Sequence, residues 1–205
     1  ATNKGKVLSS LPVVQGTTNA IVTRWNTLYA KYEAVFDGTN FFYVPYTKED
    51  AIGNAMQGMF SMEILFSPDG GVNPFSSMES GGLGYEMTSD NKLAFYYRAN
   101  NKWVLPNNNF QIPIQVGQNA YYHAVVTYNK TTFRMYLNGN KVKEMKVSGS
   151  FNFPQKNQAP DYLMGIGGDY RDVVIPSIQN SFIGKIVYAR LYKGVLSESD
   201  VKKMN

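Results

Sequence analysis

The clearest pattern of apolar and polar positions lies between Tyr121 and Met145, where the chain runs YYHAVVTYNKTTFRMYLNGNKVKEM. Tyr121 to Tyr128 is almost wholly aromatic or β-branched. From Thr131 to Leu137, the positions Thr131, Phe133, Met135 and Leu137 alternate with Thr132, Arg134 and Tyr136, which is the period-two signature of a half-buried strand. Asn129-Lys130 and Asn138-Gly139-Asn140 separate the runs, and Asn and Gly tolerate the positive φ that tight hairpins need. The pattern predicts three antiparallel strands joined by two tight turns. Such a meander cannot bury its apolar face alone, so a second sheet must pack against it.

Shorter elements lead up to it. Ala1 to Gly16 is polar and reads as an arm or linker, leaving residues 17–205 as one sandwich domain. Asn19 to Arg24 suits an outer strand, Trp25-Asn26-Thr27 a turn, and Tyr32 to Phe36 and Phe41 to Tyr46 two further strands. Thr47-Lys48-Glu49-Asp50 resembles a capping box, and Ala51, Ile52, Ala55 and Met56 follow at helical spacing before Gly58. Phe60 to Phe66 is a core strand bounded by Ser67-Pro68-Asp69-Gly70-Gly71. Asp69 to Gly84 is Gly-rich without periodicity, and a long irregular loop in a compact domain is more often functional than accidental.

After that loop, Leu83 to Met87 and Lys92 to Arg98 read as a hairpin through Ser89-Asp90-Asn91. Asn100 to Trp103 reads as a turn presenting an aromatic, with another at Asn107 to Asn109. Pro113 confines Phe110 to Val116 to an edge. Beyond the meander come a Pro- and Asn-rich loop from Phe153 to Asp161 and a strand from Tyr162 to Ile166. The Gly167-Gly168-Asp169 turn and a loop from Val173 to Ser181 follow. Phe182 to Tyr192 reads as a final strand pair, and Ser197 with Asp200 caps a closing helical turn. The whole predicts an all-β, two-sheet antiparallel sandwich with one or two short helices.

Composition narrows the chemistry. Twenty Lys and Arg against fifteen Asp and Glu give a net charge of +5, but the basic residues are scattered. A nucleic-acid reader concentrates base on one face among aromatics, so no nucleic-acid partner is expected. There is no cysteine and one histidine, too few ligands for a structural zinc or a two-metal phosphatase centre. No apolar run reaches membrane-spanning length and no signal peptide begins the chain, so a mature form or an excised module is expected.

The line YYHAVVTY followed by MYLNGNKV resembles the central signature of laminin-G-like domains of the concanavalin A-like lectin/glucanase superfamily. Tyr121 stands for the usual Trp, Tyr122 for one His, and His123 is kept. Val35-Phe36-Asp37-Gly38, Phe182 to Ile186, Ala189 to Tyr192, and Leu196-Ser197 with Val201 are similar to its other marks. The resemblance covers Val35 to Met204 and implies a jelly-roll sandwich. Phe75 to Met78 with Gly81-Gly82, and Phe151 to Pro154 with Ile166 to Asp169, resemble more closely a subgroup that follows calcineurin-like phosphoesterases in secreted proteins of gut Bacteroidetes. It implies a secreted, periplasmic or cell-surface location.

Glycosidases of this fold carry a run such as Glu-x-Asp-x-Glu on one strand, because retaining hydrolysis needs two carboxyls about 5–5.5 Å apart. Here Glu63 stands alone, with Leu65 where the middle Asp would be, and Glu79, Glu86 and Asp90 read as turn or rim residues. Glu63 is expected to be a partly buried, hydrogen-bonded strand residue, and His123 to make a structural hydrogen bond. No catalytic residue is assigned. Sandwich lectins of the resembled kind often hold calcium at the rim. Asp169 and Asp172 are the candidate ligands here, beside the simpler reading that Asp169 stabilises a Gly turn. For a glycan, Trp103 with Asn101 and Lys102 offers a ring and planar polar groups, with Met78, Glu79, Tyr170 and Arg171 as further contacts. The expectation is a non-catalytic lectin-like module that binds glycan or positions an attached catalytic domain. The alternatives are a structural domain packed on a neighbouring phosphoesterase, or a glycan hydrolase.

Overall fold

The computed structural model describes residues 14–15, 21–100, 102–104, 110–147, 154, 162–170 and 178–204. In chain order the elements are β1 (Val14–Gln15), β2 (Val22–Asn26), β3 (Lys31–Asp37), β4 (Phe42–Tyr46), α1 (Ala51–Gln57), β5 (Phe60–Gly71), β6 (Phe75–Ser77) and α2 (Met78–Gly81). Next come β7 (Leu83–Met87), β8 (Lys92–Ala99), β9 (Lys102–Val104), β10 (Gln111–Pro113), β11 (Tyr122–Tyr128), β12 (Thr132–Leu137) and β13 (Asn140–Lys146). The last are β14 (Tyr162–Ile166), β15 (Asp169–Tyr170), β16 (Ile178–Gln179), β17 (Phe182–Lys193) and α3 (Glu198–Met204).

Two antiparallel sheets face each other. One is seven-stranded in the order β13-β12-β11-β5-β17-β3-β2; the other is eight-stranded in the order β1-β4-β14-β6-β7-β8-β10, with β9 also beside β8. β15 and β16 form a separate two-stranded ribbon. The fold is the two-sheet antiparallel sandwich that the pattern predicts, in the concanavalin A-like form that the resemblance implies. Val14 and Gln15, from the segment read as an arm, pair with Tyr43 and Phe42 as an edge strand.

The predicted meander forms as β11, β12 and β13. Asn138 (φ 48°) and Gly139 (φ 76°) make its second turn, both left-handed, which is the backbone a two-residue hairpin needs. Phe133 lies at the centre of the core, with ring centroids at 4.7 Å to Tyr128, 4.8 Å to Tyr97 and 5.5 Å to Phe95. The capping pattern before α1 is also present. Asp50 accepts from the N–H groups of Ile52 (2.9 Å) and Gly53 (3.1 Å), and the Thr47 hydroxyl accepts from the Asp50 N–H.

Several extents differ from the local pattern. β2 continues through Asn26, whose Oδ1 accepts from Leu28 and Tyr29 N–H groups, so the turn comes later, over residues 27–30. β5 passes through Pro68 to Gly71. Its pairing with β11 ends at Phe66, so beyond that point the strand has a neighbour on one side only and tolerates a residue without an N–H. The segment read as an irregular loop holds β6 and α2, buried on both sides and therefore without periodicity. Phe182 to Tyr192 is one strand rather than two, because register slips at Ile183/Gly184 and Ile186/Tyr188 interrupt its alternation without ending it.

Candidate functional site

Strand alternation assigns the faces of the eight-stranded sheet. Leu83, Tyr85, Met87, Phe95 and Tyr97 enter the core, so Gly84, Glu86, Ala94, Tyr96 and Arg98 line the outer face. Trp103 on β9 stands opposite Arg98, and directly opposed residues share a face. Trp103 therefore belongs to a short strand, opposite Arg98, and not to a turn, and it is half-buried. Lys102 pairs with Ala99 and is exposed. Tyr96 lies opposite Gly84 and hydrogen-bonds the Glu86 carboxylate. Burial, reinforced by the nearby Asp169 charge, holds the Glu86 pKa above the usual carboxylate value despite that bond.

β14 and the turn after it bring the second group to this face. Gly165 lies opposite both Tyr43 and Ser76, and a Cβ on it would sit 2.2 Å from the Gly168 carbonyl, so the chain can fold back here only over glycine. Asp169 then reaches inward, where its Oδ1 accepts from the Ser76 hydroxyl (2.9 Å) and the Met78 N–H (3.2 Å). This staple fixes α2 against β6. Met78 is buried, with its sulfur 3.3 Å from the Asn73 amide nitrogen, while Glu79 in the first turn of α2 is partly exposed. The Tyr170 backbone pairs with Ile178. Asn101, Arg171 and Asp172 lie outside the described residues, among which no group of three or more His, Asp or Glu side chains could hold a metal ion.

The structure thus joins Asp169 to Met78, and Trp103 to Arg98, with Tyr96 and Glu86 on the same face. Arg98, Tyr96 and Glu86 are absent from the residues singled out by sequence. The signal for Tyr96 and Arg98 was their opposite parity to Phe95 and Tyr97. Glu86 was read as a turn or rim residue and is instead inside β7.

Glu63 occupies the outer face of the other sheet and has no exposed surface. Its Oε1 lies 2.9 Å from His123 Nε2, while Oε2 accepts from the Tyr192 hydroxyl and from Arg190 Nη1 at 3.3 Å. The Arg190 guanidinium lies 4.0 Å from the centroid of the Tyr188 ring. Burial alone would raise the Glu63 pKa, but the bonds from His123 and Tyr192 and the Arg190 charge outweigh it and hold the carboxyl below its ordinary value. Glu63 is thus more deeply buried than expected, and both its oxygens are engaged. Leu65, next on that face, offers no second carboxylate.

Residues 57–202 match the family model Laminin_G_3 of the concanavalin A-like lectin/glucanases superfamily, and the chain belongs to that superfamily. No curated protein sequence matches it significantly. Among solved structures, domain 4 of AbnA, an extracellular GH43 arabinanase from Geobacillus stearothermophilus in complex with arabinotriose, superposes with a TM-score of 0.67. It shares 14% identity over 94% of this chain and 87% of that one. The binding domain of botulinum neurotoxin DC in complex with SialylT superposes with a TM-score of 0.64 at 15% identity. That match covers 95% of this chain but 46% of the toxin domain. A third structure, the neurotoxin DC binding domain with rat synaptotagmin II, has a TM-score of 0.63 at 16% identity over the same shares of the two chains. At these identities the likeness is one of fold. No helix among the described residues is long and apolar enough to cross a membrane.

Proposed function

We propose that this chain is a non-catalytic, lectin-like module that binds glycan on the outer face of its eight-stranded sheet. The observation that carries the reading is the placement of Trp103 and Arg98 as cross-strand neighbours, with the Tyr96–Glu86 pair on the same face. A sugar's C–H face stacks on an indole, and its hydroxyls take hydrogen bonds from a guanidinium and give them to a carboxylate. Lys102, Glu79, Asn101, Tyr170 and Arg171 are proposed to rim this site, and Met78 to support it from beneath. The arabinotriose and SialylT complexes of the similar folds support a glycan rather than a small metabolite. A secreted, periplasmic or cell-surface setting, beside an enzyme such as a phosphoesterase, completes the proposal.

Trp103→Ala tests it. Loss of glycan-array binding with an unchanged denaturant melt supports the site. A loss of about 3–5 kcal/mol in stability, with no glycan bound by the wild type, would make Trp103 an edge cover instead. Calcium enters the same proposal through Asp169 and Asp172. A melting temperature raised by calcium and restored by chelator would support it, by linkage of ligand to the folded state; an unchanged melt would remove both residues from the site.

A hydrolase reading would use Glu86 as a general acid, since it is half-buried inside β7 and burial pushes its carboxyl upward. Against it, one Asp169 oxygen is committed to Ser76 and Met78. Turnover of a glycan by the wild type that disappears in Glu86→Gln would establish it over the binding module.

A further inference from the structure

Among the described residues, the seven-stranded sheet has one edge with little of the shielding that edge strands usually carry. An edge presents unpaired N–H and C=O groups, which proteins protect by brevity, charge or proline. Among the described residues, β1 has two residues and β9 and β10 three each, with Pro113 in β10. β13 carries Lys141, Lys143 and Lys146. β2 runs five residues with no proline and a single charge, Arg24.

The two sides of this edge differ chemically. On the side that continues the core face of Ala34, Trp25 and Tyr32 stand opposite each other, 55% and 66% exposed, with rings edge-to-face at 5.2 Å. Single exposed aromatics are ordinary, but a packed pair on an edge is an uncovered apolar surface. On the other side Arg24 and Lys31 are both exposed. The acid between them, Glu33, is buried, and its Oε2 accepts from Asn26 Nδ2 (2.7 Å) and the Tyr121 hydroxyl (2.5 Å). The edge thus carries the ring pair, beside Thr23, on one side and the two cations, beside the exposed Val22, on the other.

We propose that β2 is the docking edge for an extended protein strand of alternating apolar and acidic residues, added to the sheet by backbone pairing. Opposed residues on paired strands share a face. The partner residue across from Trp25 would extend the ring pair, and the one across from Arg24 would supply an exposed negative charge, since Glu33 on this face is buried and engaged by Asn26 and Tyr121. A sugar on the rings would leave the cations and the edge amides unused. A second copy pairing Trp25 with Thr23 would set Arg24 against Arg24, and like charges directly opposed are destabilising.

The test is calorimetric titration with a blocked seven-residue peptide alternating valine and glutamate, beside a peptide of the same composition with its glutamates grouped. The alternating peptide should bind about tenfold more tightly and slow amide exchange in β2. Trp25→Thr, which keeps a good strand former, should weaken it about tenfold without moving the melt. Arg24→Glu should transfer the preference to a valine–lysine alternation, a reversal that mere loss of fold cannot produce. Equal binding of the two peptides would overturn the proposal. So would Trp25-dependent self-association in sedimentation, or Trp25-dependent retention on a glycan array.

Discussion

His123 and Glu63, sixty residues apart, meet at 2.9 Å on adjacent strands, and neither side chain is exposed by more than 2%. A buried carboxylate survives only when its oxygens are paired, and the Tyr192 hydroxyl and Arg190 complete that pairing. Removing it strands an arginine and an imidazole. Glu63→Ala is therefore expected to cost about 3–5 kcal/mol in a denaturant melt, with glycan binding unchanged in the folded fraction.

The same carboxylate sets an acid limit. Its folded pKa lies below the unfolded value, so its contribution is complete above the ordinary glutamate range and is lost as pH falls through the folded pKa. Melts of wild type and Glu63→Gln should converge as the pH falls below about 4.5, the ordinary glutamate value. A constant gap between them at all pH values would show that the charge is not what matters.

Glu86 has the opposite sign. Burial, with Asp169 nearby, raises its folded pKa, so ionising it opposes folding above that pKa and costs nothing below the ordinary range. Glu86→Gln should therefore melt higher than wild type at neutral pH and equal to it in acid, while weakening glycan binding. A lower melt at neutral pH would mean that the ionised carboxylate is held by donors that stabilise it.

Asp169→Ala removes two hydrogen bonds from a buried carboxylate, each worth about 1.5–3 kcal/mol when an ion accepts it. The expected result is a lower melting temperature and faster exchange of the Met78 amide, in calcium and in chelator alike. A difference that appears only in calcium would assign Asp169 to the metal rather than to α2.

Gly139 adopts φ 76° in the hairpin between β12 and β13. Gly139→Ala places a Cβ in the left-handed region and should cost about 1–2 kcal/mol. Asn138→Gly keeps that backbone but loses the bond its Oδ1 accepts from the His123 N–H at 2.9 Å, so it tests the side chain separately. Thermal melts of both variants check the pair.

What the sequence by itself determined is what neighbours in the chain can settle. Period-two alternation and Asn-Gly turns located the meander, because strand parity and left-handed φ are properties of a few consecutive residues. The caps at Asp50 and at Ser197–Asp200 were legible for the same reason, since each closes bonds within three residues. The lengths of β5 and β17 were not. Their ladder joins residues more than a hundred apart, and register slips within it erase the alternation that marks a strand. Nor was the site. Arg98 meets Trp103 through a strand pairing, and Asp169 meets Ser76 across ninety-three residues. Burial and the charge of neighbours decide whether a glutamate is held ionised, as Glu63 is, or pushed toward its neutral form, as Glu86 is. Both depend on which strands become adjacent, which only the packed sandwich decides.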